Sequence, residues 1–181
     1  MRAMTEMNLK SAFAGESQAR NRYDIYAEKA EKEGFPNVAR LFRAIAYAEH
    51  MHAKSHFRVL REVEGGLTVA GGGFGFKSTS DNLAVAIEGE TFEIEEMYPS
   101  YLKVAEEQDE KGAVRSFNWA LEAEKIHQEL YTKAKEVVDG GNDVDLGPVQ
   151  ICEICGWTVE GEAPDECPLC KAKKNAFRTF E

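Results

Sequence analysis

The sequence predicts a mainly α protein: a four-helix bundle with one long crossover, followed by a small four-cysteine metal domain. Three observations predict it. Apolar residues recur at helical spacing through four long segments. A Gly-rich stretch at 65–80 separates the second segment from the third. All four cysteines lie between 152 and 170, in two C-x-x-C pairs.

The first helix is expected from about residue 4 to 33, with Leu9, Ala12, Phe13, Glu16, Ala19, Tyr23, Tyr26, Ala27 and Ala30 on its inner stripe. Gly34-Phe35-Pro36-Asn37 breaks the chain, with Gly34 as a helix stop and Asn37 as the cap of the next helix. The second helix is expected over 37–64, on Val38, Leu41, Phe42, Ile45, Ala53 and Val63. Such a helix is about 42 Å long, and sixteen extended residues reach about 53 Å. The 65–80 connection can therefore run the length of the bundle and lay the third helix parallel to the second. It could equally exchange helix pairs between subunits. Ser80 or Asp81 caps the third helix, which runs to about 109 with Pro99 expected to kink it or demand a local adjustment. The fourth covers 111–138 and ends at Asp139-Gly140-Gly141. The expected division is a bundle over 1–140, a linker over 141–150 and a four-cysteine domain over 151–181.

The two helical hairpins repeat one another. Gly15-Glu16 matches Gly89-Glu90, and Arg40, Phe42, Glu49 and His52 match Arg115, Phe117, Glu124 and His127. One inserted residue near the middle turn would account for a shift in the spacing.

The formal net charge of −10 argues against nucleic acid and anionic membrane surfaces as partners. No apolar run approaches the roughly 18 residues of a membrane span, and the polar start Met1-Arg2-Ala3-Met4-Thr5-Glu6 lacks a signal-peptide core. The expected location is the cytoplasm, where clustered thiols read as a metal site. The Gly-rich segment lacks the spacing of a nucleotide-binding fingerprint.

Most of the 32 acidic residues read as solvated surface. Glu16, Glu49, Glu90 and Glu124 differ because they fall on the apolar stripes. Unpaired there, each would cost on the order of several kcal/mol, and coordination to a metal removes that cost. Positions i and i+3 share a helix face, so Glu49-x-x-His52 and Glu124-x-x-His127 each aim a carboxylate and an imidazole at one point. One Glu from each of two helices plus Glu-x-x-His from each of the other two is the ligand pattern of dimetal carboxylate bundles. Glu93, whose counterpart is Ala19, reads either as an exposed acid or as a seventh ligand facing His52, and its spacing favours the ligand. Tyr23 and Tyr98 read either as bundle packing or as hydrogen-bond partners of the ligand carboxylates. His50 lies about 160° from His52 on an ideal helix and is expected to be exposed. His56 is expected in the core or at the surface rather than behind the ligands.

Cys152, Cys155, Cys167 and Cys170 can surround one tetrahedral metal, zinc or iron. A structural zinc site is the plain reading. Beside a redox-capable bundle iron is favoured, because iron exchanges one electron and zinc does not.

On the motif Ala14-Gly15-Glu16-Ser17-Gln18-Ala19-Arg20-Asn21-Arg22-Tyr23, on Ala48-Glu49-His50-Met51-His52-Ala53, on Gly89-Glu90-x-x-Glu93, on Glu124-x-x-His127 and on the four cysteines, the chain resembles the rubrerythrin family over essentially its whole length. The resemblance implies a ferritin-like bundle with a rubredoxin-like domain, the latter in a short form. It implies a non-haem di-iron centre held by Glu16, Glu49, His52, Glu90, Glu93, Glu124 and His127, with Glu49 and Glu124 bridging. In the family one iron moves between a glutamate and a histidine, at positions matching Glu93 and His52. Tyr23 and Tyr98 match family tyrosines beside the ligand carboxylates. A mononuclear iron on the four cysteines, reduction of hydrogen peroxide to water in oxidative-stress defence, and cytoplasmic action are also implied. Electrons would come from an external donor, such as reduced rubredoxin or an NAD(P)H-dependent reductase. The short linker leaves open whether the four-cysteine iron reaches its own bundle. Family members pair head to tail, so a homodimer or higher assembly is expected. Iron oxidation and storage is the alternative function, and a zinc-filled structural scaffold a third.

Overall fold

The structure, a computed structural model, describes residues 1–66 and 73–181. Its helices are α1 (Ala3–Lys32), α2 (Pro36–Val59), α3 (Thr79–Phe92), α4 (Tyr98–Glu107) and α5 (Lys111–Asp139). A π-helical turn at Glu93–Met97 joins α3 to α4, so these three pieces form the expected third helix. Strands β1 (Val149–Cys152), β2 (Thr158–Glu160) and β3 (Phe177–Phe180) make an antiparallel sheet in the order β2-β1-β3.

The local adjustment expected at Pro99 is a π-turn. Proline sits in the first turn of α4, and the π-turn before it absorbs the missing hydrogen bond. The same turn corrects the position of the inserted residue. Glu16 and Glu90 are 74 positions apart, whereas Tyr23 and Tyr98 are 75 apart, as are Glu49 and Glu124. The extra residue therefore enters between Glu90 and Tyr98, inside the π-turn, and not in the turn between helices.

Two ends of the bundle are identifiable. At one, the Arg2 amide donates to Glu110, Thr5 donates to Gln108, and Gly112 abuts Val59. At the other, Thr79 donates to Glu33 and Ser80 to Asp139. Helix α2 ends at the first and α3 begins at the second, so the connection between them crosses the length of the bundle. Its described part runs along α1, where Tyr26 donates to Gly75 O at 2.8 Å and Arg22 to Gly73 O at 3.3 Å. Residues 67–72 of the expected Gly-rich crossover lie outside the described residues.

Asn37 does not cap α2. Phe35 precedes the helix without a side-chain cap, and the Asp143 carboxylate accepts instead from the amides of Asn37 at 2.8 Å and Val38 at 3.2 Å. A carboxylate at a helix N-terminus satisfies orphan donors and complements the helix dipole. The capping residue comes from the segment after α5, and it ties that segment to the bundle. Arg40 donates to Leu146 O at 2.6 Å, and Val144, Leu146, Val149 and Ile151 join Ala39, Phe42 and Ile45 in one buried core. At the rim Tyr47 donates to Glu153 at 2.7 Å, and the Arg178 guanidinium lies 4.5 Å from the centre of the Tyr47 ring. The four-cysteine domain is thus docked on its own bundle. Among the described residues no helix is long and apolar enough to cross a membrane.

Candidate metal centres

Two apolar clusters flank the polar centre of the bundle, one built on Tyr23, Tyr26, Phe42 and Tyr131, the other on Leu9, Tyr98 and Phe117. Between them Glu16, Glu49, His52 and Glu124 bring ligand atoms within 4.8 Å of one another, and Glu49, Glu90, Glu124 and His127 do the same. Glu49 and Glu124 belong to both groups. The helical i, i+3 spacing sets Nδ1 of His52 3.0 Å from Glu49 Oε2, and Nδ1 of His127 2.6 Å from Glu124 Oε2. Across the centre His52 Nδ1 lies 2.9 Å from Glu124 Oε1, and His127 Nδ1 3.4 Å from Glu49 Oε1. The two imidazoles stack with centroids 5.9 Å apart.

The outer carboxylates are held crosswise. Tyr23 of the first hairpin donates to Glu90 of the second at 2.6 Å, and Tyr98 of the second donates to Glu16 of the first. Behind Tyr98 stands His56, fully buried, with Nε2 3.2 Å from the Tyr98 hydroxyl and Nδ1 2.9 Å from Ser116 Oγ. His56 therefore supports the tyrosine that holds Glu16, a role that spacing alone did not favour. Its repeat counterpart, Tyr131, packs edge-on against Tyr23. His50 is half-buried rather than exposed, with Nδ1 3.3 Å from Arg20 Nη1. Glu93 belongs to neither close group. It is half-buried on the π-turn, with its carboxyl enclosed enough that burial, then Glu16 and Glu124, raise it well above the usual range.

Without metal the centre is electrostatically frustrated. Burial and the adjacent Glu124 push Glu49 up to about 7. Burial and then Glu49 push Glu90 well up. Burial would lower both imidazoles, but Glu124 and Glu49 hold His127 at about 9, and Glu124 and Glu16 hold His52 well above its usual value. Burial would raise Glu16, and His52 more than offsets that, leaving Glu16 below the usual carboxylate range. Glu16 Oε2, Glu49 Oε1, Glu124 Oε1 and His52 Nε2 are buried with no hydrogen-bond partner. Three of these four are carboxylate oxygens of the close groups, so the donor set fits a pair of cations. Coordination requires the deprotonated ligands. Adding ferrous or zinc ion to the metal-free chain at pH 7 in weak buffer is therefore expected to acidify the solution. A steady pH during binding would contradict this charge assignment.

The cysteines form the second centre. Cys152 Sγ lies 3.5 Å from Cys170 Sγ and Cys155 Sγ 3.7 Å from Cys167 Sγ, all four ligand atoms fall within 4.8 Å of one another, and none is in a disulfide. Those separations suit the edges of a tetrahedron of thiolates about 2.3 Å from one metal. Trp157 and Phe177 pack edge-on beside it.

The two centres meet within one chain, which settles the geometric point that the linker length left open. Gly156, just after Cys155, lies against the His52 ring: a Cβ added there would collide with His52 Nε2 and Cδ2 and stand 3.2 Å from Ala48 O. Two residues on, buried Thr158 places Oγ1 2.8 Å from His127 Nε2. Thr158 carried no motif signal.

Residues 7–135 match the family described as rubrerythrin, and residues 150–178 match the rubredoxin-like domain of rubrerythrin. The chain belongs to the rubrerythrin family. It is 49% identical over 179 residues to Rubrerythrin-2 of Clostridium acetobutylicum, with 98% of this chain and 97% of that protein covered. It is 35% identical over 176 residues to nigerythrin of Nitratidesulfovibrio vulgaris, covering 96% and 85% of the two chains. The solved structure of nigerythrin in its fully reduced, all-ferrous state superposes with a TM-score of 0.86 at 33% identity, covering 97% of this chain and 86% of that one. An open-pore ferritin from Archaeoglobus fulgidus, at 13% identity and a TM-score of 0.64, shares the bundle fold. As a member of the rubrerythrin family the chain is a di-iron protein with a rubredoxin-like domain, and its two cofactor sites are the carboxylate–histidine cluster and the four-cysteine cluster.

Proposed function

We propose that this chain is a peroxidase that reduces hydrogen peroxide to water at its di-iron centre, using electrons relayed through the four-cysteine iron. One observation carries the reading: the knuckle after Cys155 is packed directly on a ligand-type histidine of the bundle cluster. A storage protein has no need of a one-electron centre pressed against its iron site.

Glu16, Glu49, His52, Glu90, Glu93, Glu124 and His127 would hold the iron pair, and Glu49 and Glu124, which belong to both close groups, would serve both positions. Cys152, Cys155, Cys167 and Cys170 hold the single iron. When bound, the iron pair supplies the two electrons that cleave the O–O bond, and the thiolate-bound iron replaces them one at a time. The side chains do the rest. Tyr23 and Tyr98 are held strongly protonated by burial and then by Glu90 and Glu16 respectively, so both stay hydrogen-bond donors and fix the outer carboxylates. The flanking aromatic clusters exclude bulk water, which strengthens each charge interaction inside. Glu93 lies on a turn whose ladder is already irregular, and a carboxylate there can change its distance to the centre without breaking a regular helix.

Reduction of one peroxide to two waters takes two electrons and two protons. The donor is external, a reduced rubredoxin or an NAD(P)H-dependent reductase, and the protein acts in the cytoplasm as a homodimer or larger assembly. The proposed division is a bundle over 1–140, a linker over 141–150 and the four-cysteine domain over 151–181.

Reduced anaerobically and mixed with hydrogen peroxide, the chain is expected to recover its visible iron–thiolate absorption rapidly, at two electrons per peroxide. Cys152→Ser is expected to bleach that band and to lower donor-driven peroxide turnover to background. Unchanged turnover in this variant would remove the relay from the mechanism.

A further inference from the structure

The two histidines of the bundle cluster are equivalent by repeat, yet the four-cysteine domain treats them differently. Nε2 of His127 faces Thr158 Oγ1 at 2.8 Å. Nε2 of His52 is buried with no hydrogen-bond partner, and the bare backbone of Gly156 stands against it. We propose that Thr158 is a positioning residue: it locks the His127 ring with Nδ1 turned to the metal position, while His52 is left unanchored.

The direction of the hydrogen bonds follows from the donor inventory. A threonine hydroxyl has one proton and two acceptor lone pairs. Thr158 Oγ1 lies 3.1 Å from Gly156 O, a carbonyl that can only accept, so the hydroxyl proton goes there. Towards His127 the oxygen must then accept, and Nε2 must carry a hydrogen. A neutral imidazole protonated at Nε2 has its lone pair on Nδ1, the nitrogen that faces Glu124 and Glu49. An outer partner of this kind fixes ring orientation and tautomer together. Thr158 is well placed to do so, because it is fully buried on β2, and β2 is paired to β1 through Thr158 and Ile151. The strand is set by the cysteine knuckle, where Gly156 N donates to Cys152 O at 2.9 Å and Cys152 N to Trp157 O at 2.9 Å. Docking of the four-cysteine domain and orientation of His127 are therefore one event.

This inference rests on the metal-centre reading, and its test separates the two. The probe is zinc, which is diamagnetic and takes both kinds of site. In the 15N-labelled full chain loaded with zinc, long-range correlation spectra of the histidine rings are expected to show His127 with its hydrogen on Nε2, exchanging slowly with solvent. Thr158→Val keeps the shape and removes the acceptor. It is expected to speed exchange of that hydrogen at least about tenfold and to weaken zinc binding in the bundle by about 10–100-fold in chelator competition. Thr158→Ser, which keeps the hydroxyl, is expected to restore both. The iron–thiolate band of the iron-grown variants reports whether the cysteine domain is intact, a property that a merely structural defect would change and this role would not. Equal zinc affinity and equal exchange in Thr158→Val would overturn the role of Thr158 and leave the metal centre standing. A wild-type bundle that takes up no zinc would overturn both.

Discussion

Replacing Gly156 with alanine is expected to lift the four-cysteine domain from the bundle and cut electron delivery, while both metal sites keep their ligands. The glycine has φ +83, a conformation that L side chains resist at a cost of about 1–2 kcal/mol. The steric term is larger, because the new methyl would collide with His52 Nε2 and Cδ2 and press on Ala48 O. Helix α2 is itself held in the buried core through Ala44, Ile45 and Ala48, so the knuckle is the part expected to move. The backbone term alone corresponds to about 2–8 °C in Tm for a chain of this size. Donor-driven peroxide reduction should fall sharply, whereas a single turnover by the pre-reduced bundle should persist. Wild-type steady-state turnover in Gly156→Ala would show that electrons do not pass across this contact.

Glu49→Gln is expected to strip the bundle of metal without unfolding it. The carboxyl of Glu49 is pushed up to about 7, so the metal-free centre holds it partly protonated at neutral pH. An amide has nearly the shape of that protonated carboxyl, so the metal-free chain should stay folded, with a stability loss inside the ordinary range of about 0.5–3 kcal/mol. Metal binding responds differently. Glu49 belongs to both close groups, so one substitution removes a negative ligand from two positions at once. The loss should exceed the about 100-fold that follows removal of an outer hydrogen-bond partner, and peroxide reduction should drop to background. Metal analysis with thermal unfolding of the metal-free form checks both halves. Full metal content would show that Glu49 is not shared.

The bundle and the cluster were legible because their signals are local. Glu49 and His52, or Glu124 and His127, meet through helical periodicity alone, and the four cysteines announce a tetrahedral site by spacing. What was not legible depends on packing between distant segments. Asp143 caps α2 from more than a hundred residues away, so Asn37 looked like the cap when it is not. His56 reaches Tyr98 and Ser116 on two other helices, which no period on α2 reveals. Thr158 is a short polar residue in a strand, and only the docked domain shows what its hydroxyl faces. Comparing repeat offsets could have located the π-turn, since the change from 74 to 75 falls between Glu90 and Tyr98.

That extra residue also makes the two halves of the bundle non-interchangeable. A recombination that copied the Glu16 helix over its Glu90 counterpart would shorten the carboxylate-to-tyrosine spacing from eight residues to seven, remove the π-turn and put the counterpart of Ala19 in place of Glu93. The difference between the two ends of the site is thus held in the register of one backbone turn.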